Sequence, residues 1–373
     1  MVISFIIMNI ETPTLLINKA RVYSNISRIM EKISNSPTPV RFRPHFKTHQ
    51  STLVGEWFRD LGITSITVSS VEMGFYFALD GWNDITIAVL VNPNEIQSIN
   101  RLAEETELNL LIDSSDVAKL LDEQLERPSK TWIKIDTGYQ RTGIVWNNFD
   151  EIYSLIETIQ HSEKLNFRGL LTHSGHSYHA KSTSEIMEIY LDTVSKMNEV
   201  RDFLGEKNIA GVEISIGDTP TCSVTETYNG IDEVRCGNFV FYDIMQLNLG
   251  TCKEDDIAAA VACPVLACYP HRNDIVIQGG AVHLSKDFIP GSSENRIYGK
   301  VAFPIENNDG IQGWGPILEN TSVYSISQEH GIIRTTPEVM QKVKVGDTMI
   351  ILPIHSCLTA NLLKHTITVV GES

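Results

Sequence analysis

Val40-Arg-Phe-Arg-Pro-His-Phe-Lys-Thr-His49 is the stretch on which the fold turns. Val40 to Phe46 reads as a β-strand that runs into Lys47. In an extended chain successive side chains alternate between faces, so His45, Lys47 and His49 point the same way. A lysine between two imidazoles makes neither a good core nor a plain surface. Nearby positive charge and desolvation both favour the neutral form of an amine, and a neutral amine is what a Schiff base with an aldehyde requires.

Outward from this strand, helix-like and strand-like segments alternate. Asn18 to Ile33 has helical spacing; Thr52–Leu61 and Val71–Leu79 are helices closed by Gly62 and Gly81. Pro93–Glu104, Ser115–Leu125, Asp150–His161 and Ser182–Leu204 continue the helical series. Between them lie strands at Ser65–Ser69, Ile85–Val89, Leu108–Ile112, Thr131–Ile135, Phe167–Thr172, Gly211–Ile216 and Val234–Cys236. Such alternation implies parallel strands with covering helices, and its count favours a closed TIM-type (β/α)8 barrel over an open doubly wound sheet. After about residue 245 the pattern becomes strands separated by Gly, Pro, Asn and Asp turns, with no helix of length: a mostly β domain. The expected division is a barrel over 18–245 and a β domain over 246–373.

The length of 373 residues exceeds what one core normally organises. The apolar content of 42% and the charged content of 20% are those of a globular protein. A net charge of −16 argues against nucleic acid or an anionic membrane as partner. No apolar run spans a bilayer. Met1 to Met8 lacks the marks of a signal peptide; it reads either as a short buried strand or as an extension before a start at Met8. The six cysteines form no Cys-x-x-Cys pair and read as reduced thiols of a cytoplasmic protein.

Catalytic groups of such barrels sit at strand C-termini, and the distinctive residues fall there. Lys47 follows the first strand. Asp136-Thr-Gly-Tyr-Gln-Arg141-Thr-Gly143, His173-Ser-Gly-His176-Ser-Tyr178, Gly217-Asp-Thr219-Pro-Thr221 and Arg235-Cys-Gly237-Asn238 follow later ones. Amides and hydroxyls around Gly217–Thr221, with the amides of Gly237 and Asn238, suit a phosphate. Arg141 suits a phenolate, His173 a ring, and Lys47 an aldehyde. Pyridoxal phosphate (PLP) meets all four requirements.

These motifs, with Arg235-Cys-Gly-Asn-Phe-Val-Phe-Tyr-Asp243 and His355-Ser-Cys357-Leu-Thr-Ala-Asn361, resemble the alanine racemase-type PLP enzymes of fold type III. Within them the chain resembles the D-threonine aldolase and D-serine dehydratase branch, from about residue 12 to the end and in the same motif order. The resemblance implies that segment 1–17, through a strand at Glu11–Ile17, joins the β domain. It implies Lys47 as the lysine that carries PLP, Arg141 at the phenolic oxygen and His173 beside the ring. Tyr178 or Arg235 then partners the pyridine nitrogen, and Thr219, Thr221, Gly237 and Asn238 form the phosphate site. Cys236 stands where proline is common. A homodimer is expected on the same ground.

His355 and Cys357 are two apart and would share a face on a strand. Imidazole and thiolate are suited to Zn²⁺, and the resemblance implies a divalent metal, Zn or Mn, in this branch; alanine racemases lack the pair. The expected activity is a PLP- and metal-dependent lyase on small D-β-hydroxy amino acids, either D-serine dehydration, with Lys47 taking the α-proton, or D-threonine cleavage, with His49 or His330 as the base for the β-hydroxyl proton. The alternatives are an amino acid racemase, which needs a second acid/base, and a non-catalytic PLP-binding protein of cofactor homeostasis, whose one-domain barrels lack the β domain. His283 and Glu329-His330-Gly331 read equally as site or as scaffold.

Overall fold

The computed structural model describes residues 10–291 and 296–371; the strand expected within Met1–Met8 lies outside them. Residue contacts cluster into two units. One comprises Ser27–Lys47 and Ser51–Gly237; the other comprises Met1–Ile26, Thr48–Gln50 and Asn238–Ser373. In chain order the first elements are strand β1 (Thr14–Asn18), helix α1 (Lys19–Ser34) and strand β2 (Arg41–Phe42).

The first unit is the barrel. Its further strands are β3 (Ser65–Val68), β4 (Asp84–Leu90), β5 (Glu107–Ile112) and β6 (Ser129–Asp136). The short β7 (Ile144–Val145) pairs with β6, and β8 (Leu165–Leu171), β9 (Glu213–Ile216) and β10 (Glu233–Val234) follow. The hydrogen-bonded order is β2-β10-β9-β8-β6-β5-β4-β3, parallel throughout. A parallel bridge between His45 and Thr67 joins the two ends of this order and closes the cylinder. Its covering helices are α2 (Thr52–Asp60), α3 (Val71–Ala78), α4 (Ile96–Glu105), α5 (Ser115–Gln124), α6 (Phe149–Gln160) and α7 (Thr183–Glu206); a short α8 (Thr219–Val224) follows β9. Local chemistry starts and stops them. Ser51, Ser70, Ser114 and Ser182 accept hydrogen bonds from the backbone amides three residues on. Gly62 and Gly81, with φ of 82° and 88°, supply the left-handed residue after α2 and α3.

The deciding stretch differs from its expected form. The strand ends at Phe42, and Phe46 to His49 form a turn leading to Gln50 at φ 45°. Strict alternation is therefore lost: Lys47 is exposed while His49 is buried. Tertiary contacts override the local pattern. Phe46 is fully buried against Phe58, Phe77 and Trp82, with ring centroids 4.9–5.1 Å away, each pair worth about 0.5–1.5 kcal/mol beyond its buried area. The turn is pinned by its aromatic neighbour, and Lys47 is what it presents.

In the second unit six antiparallel strands close on themselves in the order 259–269, 274–278, 330–334, 322–326, 299–302 and 348–353. Strand β1 adds to the 259–269 strand, and 367–370 adds in parallel to β1. One expectation is corrected here. His355–Cys357 is not a strand, because Ser356–Leu363 is a helix with His355 at its N-cap. The carboxylate of Asp243 accepts the Ser356 amide at 3.0 Å and supplies the cap that no local residue provides.

Candidate active site

The barrel carries a cluster of cations at its strand ends. Arg43, buried below the lysine turn, donates to Glu233 at 2.8 Å and bidentately to Asp84 at 2.6 and 2.9 Å. Ser215 donates to the other oxygen of Glu233 at 2.7 Å, and Arg235 Nε donates to Ser215 at 2.6 Å. Arg235 Nη2 donates to the Thr172 carbonyl at 2.7 Å. Arg235 is thus fixed from two strands, and burial lowers its pKa to about 10.

Burial, then the charges of Lys47 and Arg235, push His45 well below its ordinary pKa. Burial does the same to His173, whose Nδ1 is hydrogen-bonded to the Gly217 carbonyl; the charges of Lys134, Lys47 and Arg141 add to it. Both rings are neutral at neutral pH. Arg141 is exposed and lies 5.0 Å over the Tyr139 ring, which is 5.8 Å from the His173 ring. The loop bearing Arg141 is wound around Asp136, which accepts the amides of Gly138 and Gln140 at 2.9 and 3.0 Å.

After β9, Asp218 takes both the amide and the hydroxyl of Thr221, at 2.9 and 2.7 Å, and the Ser177 hydroxyl at 2.8 Å. The Thr219 amide reaches the Tyr178 hydroxyl at 3.4 Å. Tyr178 therefore stands at the Gly217–Thr221 turn, whereas Arg235 is anchored to Ser215 and Thr172. Gly217 permits this packing: a Cβ there would lie 2.8 Å from the Arg235 backbone carbon and Cβ.

Sequence reasoning missed Lys134. It is buried on β6 with Arg235, Arg141, Asp136 and Asp113 as its charged neighbours, and burial first, then Arg235, lowers its pKa to about 7. The signal was a lysine inside the otherwise apolar run Trp132-Ile-Lys-Ile135.

In the second unit, His355 Nδ1 is 2.9 Å from Asp287 Oδ2. Cys357 Sγ lies 3.3 Å from Thr48 Oγ1 and 3.5 Å from Asn238 Nδ2. Thr48 is the residue after Lys47 in the chain. Asn238 also donates to Asp243 at 2.7 Å. Burial opposes charge on both partners. Even so, hydrogen bonds to Asp287 and Cys357 raise His355 to about 11, and the His355 bond lowers Cys357. His330 is exposed at the start of its strand, in a turn with Ser327. His283 Nδ1 accepts from the Gly280 amide at 3.2 Å.

Both implied groups fit the residues present. Four cations, Lys47, Lys134, Arg141 and Arg235, around two neutral imidazoles suit a ligand with several negative charges, as PLP is. Among the described residues no three His, Cys, Asp or Glu side chains form a metal group. His355 and Cys357 supply two donors of the right softness, with a carboxylate behind the imidazole. Asn238 Oδ1 beside them is buried without a hydrogen-bond partner, as an acceptor for a metal-bound water would be.

A closed parallel barrel presenting a lysine among cations, with a second β domain, defines the class of fold type III PLP enzymes. The chain belongs to the family described as "Alanine racemase, N-terminal domain", whose model matches residues 17–244. A second model, described as "Putative serine dehydratase domain", matches residues 258–369. A D-serine dehydratase of Dictyostelium discoideum is 30% identical over 95% of this chain and 92% of its own. The D-threo-3-hydroxyaspartate dehydratase of Delftia sp. HT23 is similar in structure with a TM-score of 0.85 and 26% identity, covering 94% of this chain and 92% of that one. A D-threonine aldolase from Filomicrobium marinum, 16% identical with a TM-score of 0.79, shares the fold.

Proposed function

We propose that this protein is a PLP-dependent lyase that dehydrates a D-β-hydroxy amino acid, with a divalent metal, Zn²⁺ or Mn²⁺, at His355 and Cys357. The observation that carries it is the convergence of an imidazole and a thiolate in the C-terminal domain of a chain whose barrel carries the PLP lysine motif. Full-length similarity to two dehydratases supports the choice of dehydration.

Lys47 would hold PLP, and its Nζ would serve as the base for the substrate α-proton. Arg141, with Tyr139 stacked beneath its guanidinium, would hold the phenolic oxygen, and neutral His173 would lie beside the ring. Thr219, Tyr178 and the amides of Gly237 and Asn238 would hold the phosphate; Thr221 acts through Asp218 to shape the turn. Arg235 is the residue for the pyridine nitrogen. PLP supplies the electron sink for the charge left at Cα. The metal supplies the Lewis acid for the departing β-hydroxyl. One proton and one hydroxide leave the substrate, and hydrolysis of the enamine yields a 2-oxo acid and ammonia.

The test is incubation with D-serine, D-threonine and D-threo-3-hydroxyaspartate in Zn²⁺ or Mn²⁺. A 2-oxo acid with ammonia is expected. Glycine with an aldehyde would replace dehydration by aldol cleavage, and the L-enantiomer would make the protein a racemase. Lys47→Ala should lose both turnover and the visible band of bound cofactor.

A further inference from the structure

Two acidic residues far apart in sequence meet the His355-Ser-Cys357 turn. Asp243 caps it through the Ser356 amide and hydroxyl at 3.0 and 3.3 Å, so it holds backbone. Asp287 does something different. Its carboxylate meets one ring nitrogen of His355, Nδ1, at 2.9 Å, while the same ring is hydrogen-bonded to Cys357. With Nδ1 engaged by Asp287, Nε2 is the nitrogen left for the sulfur side. A carboxylate that accepts from one imidazole nitrogen fixes the tautomer and raises the basicity of the other, and such partners set metal affinity. Asp287 is only part-exposed and follows the 281–284 helix by three residues, so the contact is made by a side chain held close to the fold.

We infer that Asp287 is the positioning residue of the metal site: by holding His355 Nδ1 it presents Nε2, together with Cys357 Sγ, to the ion. This rests on the metal assignment made above. It adds a residue 68 positions from its partner and outside the His-x-Cys motif.

Metal affinity is the readout, measured on the PLP-loaded protein by competition with a chromophoric chelator for Zn²⁺. Asp287→Ala is expected to bind Zn²⁺ about 10–100-fold more weakly than the parent. Asp287→Asn, whose carbonyl still accepts from Nδ1–H, should recover part of the loss. His355→Ala serves as the null for the site. Co²⁺-loaded Asp287→Ala should keep the thiolate-to-cobalt band, since Cys357 is untouched. If the parent binds no stoichiometric metal, or His355→Ala binds as well as the parent, the metal assignment itself is wrong. If the parent binds and Asp287→Ala binds equally, Asp287 has no positioning role. A loss of affinity matched by lower stability of the metal-free variant, with no recovery in Asp287→Asn, would make Asp287 merely structural and overturn the inference.

Discussion

Glu233→Gln tests whether the barrel's buried ion network does what its geometry implies. The Glu233 side chain is wholly buried and bonded to Arg41 and Arg43, both at 2.8 Å. Burial pushes its pKa up, but the charges of Arg43 and then Arg41 prevail and bring it down from 4.5 to about 2. At roughly 1.4 kcal/mol for each tenfold change in the proton equilibrium, a fall from 4.5 to about 2 is worth about 3–4 kcal/mol. The pKa is depressed on folding, so this stability is fully present above pH 4.5 and is lost as pH falls through 2. Breaking a buried pair from one side costs about 3–5 kcal/mol, because the arginines keep their charge. Urea unfolding of the parent and the variant should therefore differ by about 3–5 kcal/mol at pH 7, with the gap closing between pH 4.5 and 2. Ser215 also loses a carboxylate acceptor, and Ser215 is what Arg235 Nε donates to at 2.6 Å, so PLP should be held more weakly. A gap below about 1 kcal/mol at pH 7, or one that is constant from pH 6 to pH 3, would refute the reasoning.

Lys134→Met should stabilise the PLP-free protein. The folded pKa is about 7 against 10.5 unfolded, so between those values only the unfolded chain binds the proton and stability rises with pH. The penalty is full below pH 7, roughly 4–5 kcal/mol by the same conversion, so the variant's advantage in denaturant melts should be largest at pH 6 and gone near pH 10.5. Gly217→Ala places a Cβ 2.8 Å from Arg235 backbone and Cβ. Backbone cannot yield as a side-chain tip can, so about 1–3 kcal/mol of strain is expected, along with at least tenfold weaker PLP binding by fluorescence titration.

Much of this was legible in local pattern. Apolar runs bounded by serine caps and glycine stops mark the barrel's elements, and polar clusters following those runs mark its catalytic end. What escaped was set by distant partners. Lys47 was expected on an extended strand, but Phe46 in its aromatic nest and the left-handed Gln50 make a turn instead. The helix at Ser356–Leu363 has no capping residue of its own, because its cap, Asp243, comes from 113 positions away. Asp287 carries no motif, since its only signature is a contact with His355. Lys134 did leave a trace, a charge within an apolar strand, that alternation alone does not interpret.

The chain's charge of −16 and its cationic barrel mouth are reconciled by where the acids spend their oxygens. Asp136 accepts the amides of Gly138 and Gln140, and Asp113 accepts that of Gly143 at 3.1 Å. Asp218 is shared by Thr221 and Ser177, and Glu233 is held by Arg41 and Arg43. Each neighbouring carboxylate is turned toward backbone, hydroxyl or a deeper arginine. Lys47, Lys134, Arg141 and Arg235 gather near one another at the barrel's strand ends. A protein of net negative charge can thus suit a phosphorylated, phenolate-bearing cofactor, because a local cluster of cations can oppose the sign of the whole chain.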